Sequence, residues 1–208
     1  TVSSFGGVTG ITAGVDTISY TLGCAAVFTM TINPIPTPII GPPALCVGTS
    51  HTLSDATPGG IWTSSVPGAA DIGSTTGIVT GYASGGTIIS YTNPVNGCAA
   101  TIFFLVRTPP AAIGGAPALC EGSAMLVTDG IPGGVWSNTR PAISTITSGG
   151  IVSGILPGLD TIVYTIAGCA PVFHPITVNP LPALITGPTS ICIGLAIALS
   201  DASPGGMW

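Results

Sequence analysis

The residues of this chain best suited to chemistry are its six cysteines, which fall into two sets that share one spacing. Cys46, Cys120 and Cys192 each stand two residues before a glycine (Gly48, Gly122, Gly194). Cys24, Cys98 and Cys169 each follow a glycine directly (Gly23, Gly97, Gly168). Thiols at fixed intervals serve as metal ligands or as disulfides. Zinc sites draw on Cys-x-x-Cys pairs or on Cys with His. No Cys-x-x-Cys occurs, and the two histidines, His51 and His174, do not repeat with the cysteines. All six cysteines therefore read as disulfide candidates, and no metal or cofactor is expected.

Other chemistry finds less support. A nucleophile needs a nearby base, and neither His51 nor His174 belongs to a position the repeats share. Paired carboxylates for acid–base work are absent, so no catalytic residue is assigned and the chain is not expected to be an enzyme. Asp55, Asp129 and Asp201 recur just before a Pro-Gly-Gly. Calcium needs six to eight oxygens, whereas a single Asp in a turn caps local backbone N–H groups. Arg107 and Arg140 are the only basic side chains besides His, and there is no lysine. That excludes a basic groove for nucleic acid, which needs clustered Lys and Arg.

The elements that must position these residues repeat along the chain. Trp62, Trp136 and Trp208 each follow a Pro-Gly-Gly, and Tyr20, Tyr91 and Tyr164 each precede a cysteine of the Gly-Cys set. The repeat is about 72 residues long, the signature of an array of one small unit. Short Val/Ile/Thr/Tyr runs such as Thr87–Thr92 alternate with period two and end at Gly, Pro or Asn, which reads as strand. About seven strands per unit, with turns every 8–12 residues, predict an all-β, two-sheet sandwich of the immunoglobulin kind. One Trp and one Tyr per unit are expected in its core: Trp62 and Trp136 mostly buried, Tyr20, Tyr91 and Tyr164 at least half buried. A sugar-stacking role for these rings is the rival.

Only 4% of residues are charged, against about 25% in an ordinary soluble domain. Nearly neutral surfaces tend to associate. No apolar run is long enough for a transmembrane helix.

The repeat predicts four pieces: the closing part of a module at 1–36, complete modules at 37–109 and 110–182, and the opening part of a module at 183–208. Neither end piece can bury its apolar face alone. The expectation is that residues 1–32 of one copy pair with residues 183–208 of a neighbour, head to tail, either as successive windows of one continuous chain or by strand complementation between separate chains. For the cysteines three pairings are open. Same-unit bonds would be Cys46–Cys98 and Cys120–Cys169. Bonds across the linkers would be Cys24–Cys46, Cys98–Cys120 and Cys169–Cys192. Sandwich topology favours a third pairing, Cys46–Cys169, since Cys46 lies at the bottom of one module and Cys169, at the top of the next, faces that junction; a disulfide needs Cβ atoms within about 4.5 Å.

The strings Cys192-Ile193-Gly194, Leu199-Ser200-Asp201 and Pro204-Gly205-Gly206-Met207-Trp208 resemble one half of a known pattern. Gly77–Gly81, Thr87–Thr92 and Gly97-Cys98 resemble the other half. Together they resemble the bacterial Ig-like (group 2-like) tandem repeats of large secreted Bacteroidetes surface proteins, over essentially the whole chain. The resemblance implies a β-sandwich, an extracellular location and an adhesive or architectural role, with a glycan-binding or spacer module as the alternative. It also favours the same-unit disulfides. Asp16-Thr17-Ile18 and Asp160-Thr161-Ile162 match the O-glycosylation pattern of that bacterial group, making Thr17 and Thr161 candidate glycan acceptors.

Overall fold

A computed structural model describes residues 1–208. The chain is all-β, with sixteen strands and no helix. It divides into two compact units: Thr1–Pro109 with Ala167–Cys169, and Pro110–Ile166 with Ala170–Trp208.

The first unit opens with an antiparallel hairpin, β1 (Gly14–Leu22) and β2 (Cys24–Ile32), whose register runs from Gly14 opposite Ile32 to Leu22 opposite Cys24. Seven strands follow: β3 (Ala44–Cys46), β4 (Ser50–Thr52), β5 (Ile61–Ser64), β6 (Ala70–Ile72), β7 (Ile78–Gly81), β8 (Gly85–Thr92) and β9 (Ala99–Arg107). One sheet has the order β3-β9-β8-β5, the other β4-β7-β6. Strand β3 pairs β9 in parallel, while every other pair is antiparallel. Just before β3 the chain bridges to the opposite sheet, Ile40 with Ser54, so this first segment touches both layers. That is an immunoglobulin-like sandwich.

The period-two alternation decides the core. On β8, Thr87, Ile89 and Tyr91 point inward, and on β9 Phe104 and Val106 do. Leu45, Leu53, Trp62, Ala70, Ile72 and Val79 close the layer between the sheets. Burying a large apolar side chain of this kind contributes about 1.5–3 kcal/mol.

The second unit repeats the plan with β10 (Ala118–Cys120), β11 (Ala124–Leu126), β12 (Val135–Asn138), β13 (Ser144–Ile146), β14 (Ile151–Gly154), β15 (Gly158–Thr165) and β16 (Val172–Asn179). Its sheets are β10-β16-β15-β12 and β11-β14-β13. The bridge Gly114–Thr128 matches Ile40–Ser54, and a third copy, Thr186–Ser200, is the sole strand-like pairing in residues 183–208. No helix is long and apolar enough to cross a membrane.

Candidate functional site

The repeated Pro-Gly-Gly-x-Trp turn builds one local device twice. Gly59 and Gly133 hold φ of 79° and 90°, the left-handed region that a Pro-Gly turn requires at its second central residue. The turn delivers Trp62 onto β5 opposite Tyr91 of β8, ring centroids 4.6 Å apart. Trp136 and Tyr164 repeat this at 4.4 Å. Each tyrosine hydroxyl then reaches back to the turn. The Tyr91 hydroxyl donates to the Thr57 carbonyl at 2.6 Å and accepts from the Gly60 N–H at 2.9 Å. Tyr164 makes the same pair with Ile131 and Gly134, both at 2.8 Å. A Cβ on Gly60 or Gly134 would collide with the tyrosine ring, so the second glycine is there to admit it. Asp55 and Asp129 brace the turn through Oδ1, which accepts from the N–H of Thr57 and of Ile131, each at 2.7 Å.

The device is closed in the first sandwich, where Trp62 is 5% and Tyr91 7% exposed. Tyr164 is likewise buried, and Trp136 is partly buried.

The two end segments carry the same repeat positions, without a Trp–Tyr contact. Residues 180–208 form an open groove of about 660 Å³ lined by Pro180, Leu181, Pro182, Ile185, Met207 and Trp208, among others. The Asp201 cap on Ser203 is in place at 2.6 Å, and Gly205 has φ 83°. Trp208, however, is 78% exposed, and around Gly206 a Cβ would meet only open space. The repeat equivalent of Tyr91 near the start of the chain is Tyr20, on β1. Its predicted burial is overturned: the ring is 72% exposed. The reason is architectural, since the sheet β1-β2 has only two strands and no facing sheet of its own.

Among the cysteines, Cys46 at the end of β3 is bonded to Cys169 in the loop between β15 and β16, with Cα atoms 5.1 Å apart. Ala167–Cys169 thus belong by contact to the first unit although they lie between strands of the second sandwich. The alternatives that needed Cys46 or Cys169 elsewhere, same-unit or across a linker, are overturned. Cys24, Cys120 and Cys192 are free and exposed, and Cys98 is free and half-buried.

A buried carboxylate escaped the sequence reading. Asp160 on β15 is 3% exposed. Its Oδ1 accepts from the Thr161 N–H (2.7 Å), the Arg140 N–H (2.8 Å) and the Thr139 hydroxyl (3.0 Å). Its Oδ2 accepts from the Ser144 hydroxyl (2.6 Å) and Asn138 Nδ2 (2.9 Å). Burial pushes the carboxyl up, but the hydrogen bonds from Asn138, Ser144, Thr161 and Thr139 outweigh it and hold the group below its ordinary value. Both oxygens are spent on the protein's own donors, so the group ties β12, β13 and β15 together and has no lone pair left for a substrate. The one available signal was Asn138, a polar side chain at an inward strand position.

His51 is exposed on β4 and His174 is half-buried on β16, its Nε2 3.3 Å from the Ala116 carbonyl. No three His, Cys, Asp or Glu side chains come together. Thr17 is exposed on β1, and Thr161 is half-buried beside Asp160.

No protein-family model matches the chain, and no curated protein does. Solved structures similar to it include the surface layer protein SbsC, domains 1–6, at 13% identity and a TM-score of 0.36, covering 98% of this chain and 40% of that one. The C-terminal 282-residue fragment of intimin, solved with the intimin-binding domain of the translocated intimin receptor, has 14% identity and a TM-score of 0.46, covering 76% of this chain and 68% of that one. Extracellular domains 3–5 of Drosophila OTK have 12% identity and a TM-score of 0.40, covering 81% and 71%. The chain thus spans well under half the length of the SbsC fragment it resembles.

Proposed function

We propose that the chain is a structural module of an extracellular fibre or surface adhesin whose copies join head to tail. Residues 1–32 of the next copy complete the sandwich begun by residues 183–208 of the one before it. The observation that carries this reading is the split Trp–Tyr device. Tyr20 and Trp208 are exposed at the repeat positions where Tyr91 and Trp62 lie in contact and buried. In the joined sandwich, Tyr20 of one copy stacks on Trp208 of the other. Its hydroxyl donates to the Ser203 carbonyl and accepts from the Gly206 N–H. The open space at Gly206 is then the room that the ring takes at Gly60 and Gly134.

Complementary, different surfaces on the two ends make a heterologous contact, which propagates as a filament unless it closes into a ring. Main-chain pairing adds strands across the joint, over an interface expected to exceed about 1,000 Å². The disulfide suits an oxidising, extracellular setting. The resemblance of its repeat strings to the bacterial Ig-like repeats of Bacteroidetes surface proteins accords with it. In this reading the protein bears load and performs no catalysis.

Negative-stain microscopy of the purified chain tests the proposal. Uniform filaments are expected, shortened or lost in Tyr20→Ala and Trp208→Ala. Isolated particles at every concentration would overturn it and favour a spacer or glycan-binding module of a larger protein.

A further inference from the structure

We infer that the four free cysteines are the two halves of intermolecular disulfides, and that each junction between copies carries two: Cys120 of one copy with Cys24 of the next, and Cys192 of the first with Cys98 of the next. The inference rests on the head-to-tail reading above and deepens it by naming the covalent register.

The rule comes from the bond already formed. Cys46 ends the first strand of its sandwich; Cys169 sits in the loop between the last two strands of the sandwich that follows in sequence. The bond therefore links the first-strand cysteine of one module to the last-hairpin cysteine of the next. Cys120 ends β10 as Cys46 ends β3, and Cys192 occupies the same place in the string Ser190-Ile191-Cys192. Cys24 follows Gly23 and opens β2, as Cys169 follows Gly168 in the loop before β16. Applied to modules joined through their end segments, the rule assigns each free cysteine one partner and leaves none over.

Two independent features of the local geometry agree. Gly168 has φ 84°, and a Cβ there would lie 3.0 Å from the Ala44 carbonyl oxygen, so the Gly-Cys loop needs glycine because it sits against the first strand. Gly23 and Gly97 hold the same conformation, φ 76° and 72°, with nothing within 4 Å of the position. Both loops leave room for a first strand at the place where Ala44 lies against Gly168. The thiol positions also correspond: Cys169 Sγ is 3.9 Å from the Thr108 carbonyl, in the stretch before β10, and Cys98 Sγ is 3.9 Å from the Asn33 carbonyl, in the stretch before β3. Cys98 therefore lies beside the chain that enters its own module, as Cys169 does, and its partner belongs to the module before.

Each bond forms by thiol–disulfide exchange. The thiolate of Cys120 attacks one sulfur of a disulfide-bearing oxidant and expels a thiol. The thiolate of Cys24 then attacks the mixed disulfide and expels the second thiol. The two cysteines lose two protons and two electrons, and the oxidant's disulfide is reduced to two thiols. Cys192 and Cys98 follow the same course.

The test is non-reducing electrophoresis and disulfide mapping by mass spectrometry of the whole chain, assembled in oxidised glutathione. A ladder of covalent multimers is expected, with Cys24–Cys120 and Cys98–Cys192 peptides. Cys24→Ser or Cys98→Ser alone should keep the ladder through the other bond, and the double variant should abolish it while filaments persist in the microscope. Filaments whose four cysteines all alkylate freely, or a map showing Cys98–Cys120 or Cys24–Cys192, would overturn this register without touching head-to-tail assembly. Monomers alone would overturn both.

Discussion

The β1–β2 hairpin and the β8–β9 hairpin carry the same repeat positions and meet opposite fates. Tyr91 is 7% exposed and Tyr20 72%. Both hairpins have full antiparallel registers, Gly14 opposite Ile32 in one and Gly85 opposite Val106 in the other. Hydrogen bonding inside the hairpin is therefore independent of the core. What separates them is the facing sheet and the neighbouring Trp strand, which β8 has and β1 lacks within this chain. A two-stranded hairpin is marginal in water unless its apolar face is covered. The lesson is that the repeat phase sets which face is apolar, while cover comes from strands far away in sequence.

The largest expected effect that sharpens this contrast is at the tryptophans. Trp62→Ala should destabilise the first sandwich by about 3–5 kcal/mol in denaturant unfolding, because it empties a closed core. Trp208→Ala in the dispersed chain should leave the same curve unmoved. An equal loss in both would break the comparison.

Next comes the disulfide. Cys46→Ser, or reduction, should cost about 2–5 kcal/mol, read as a lower thermal midpoint. Cys24→Ser in the dispersed chain should cost nothing measurable.

The two complete sandwiches supply a third test, since they solve one packing problem with different groups. In the first, Thr87 accepts from the Val66 N–H (3.0 Å) and shares hydrogen bonds with Ser64 and Ser65. In the second, Asp160 fills the equivalent place with Asn138 as partner. Asp160→Asn should destabilise the second sandwich by about 1–3 kcal/mol at neutral pH, because one of the two acceptor oxygens becomes an NH2 donor facing buried donors. The folded-state value of this carboxyl is depressed, so its stabilisation is present above the unfolded value of about 3.9 and fades as the pH falls below it. The variant and the parent should therefore converge in acid. A gap that widens below pH 4 would contradict the assignment.

The smallest effect is at the tyrosine hydroxyls. Tyr91→Phe and Tyr164→Phe should each cost about 1 kcal/mol, whereas Tyr20→Phe should leave the dispersed chain unchanged and weaken assembly.

Much of the fold was legible because one unit is written nearly three times. Trp62, Trp136 and Trp208, with the Pro-Gly-Gly before each, announced the turn, and the alternation in Thr87–Thr92 announced a half-buried strand. The exposure of Tyr20 was not legible, because alternation identifies the inward side of a strand and says nothing of what lies opposite. The disulfide partner of Cys46 was left among three choices, since pairing depends on how loops of different modules meet. Asp160 was read together with Asp16 as part of a surface motif. Its burial depends on Asn138 and Ser144, distant in sequence and recognisable as donors only once β12, β13 and β15 are assembled.

The central claim, that the two end segments are halves of one sandwich, is tested most directly by amide hydrogen exchange on dilute and on assembled protein. Residues 1–32 and 183–208 should exchange fast in the dilute chain and gain protection together on assembly, to the level of β8 and β9. Lasting fast exchange in both segments of the assembled material, with protection confined to residues 37–182, would contradict it.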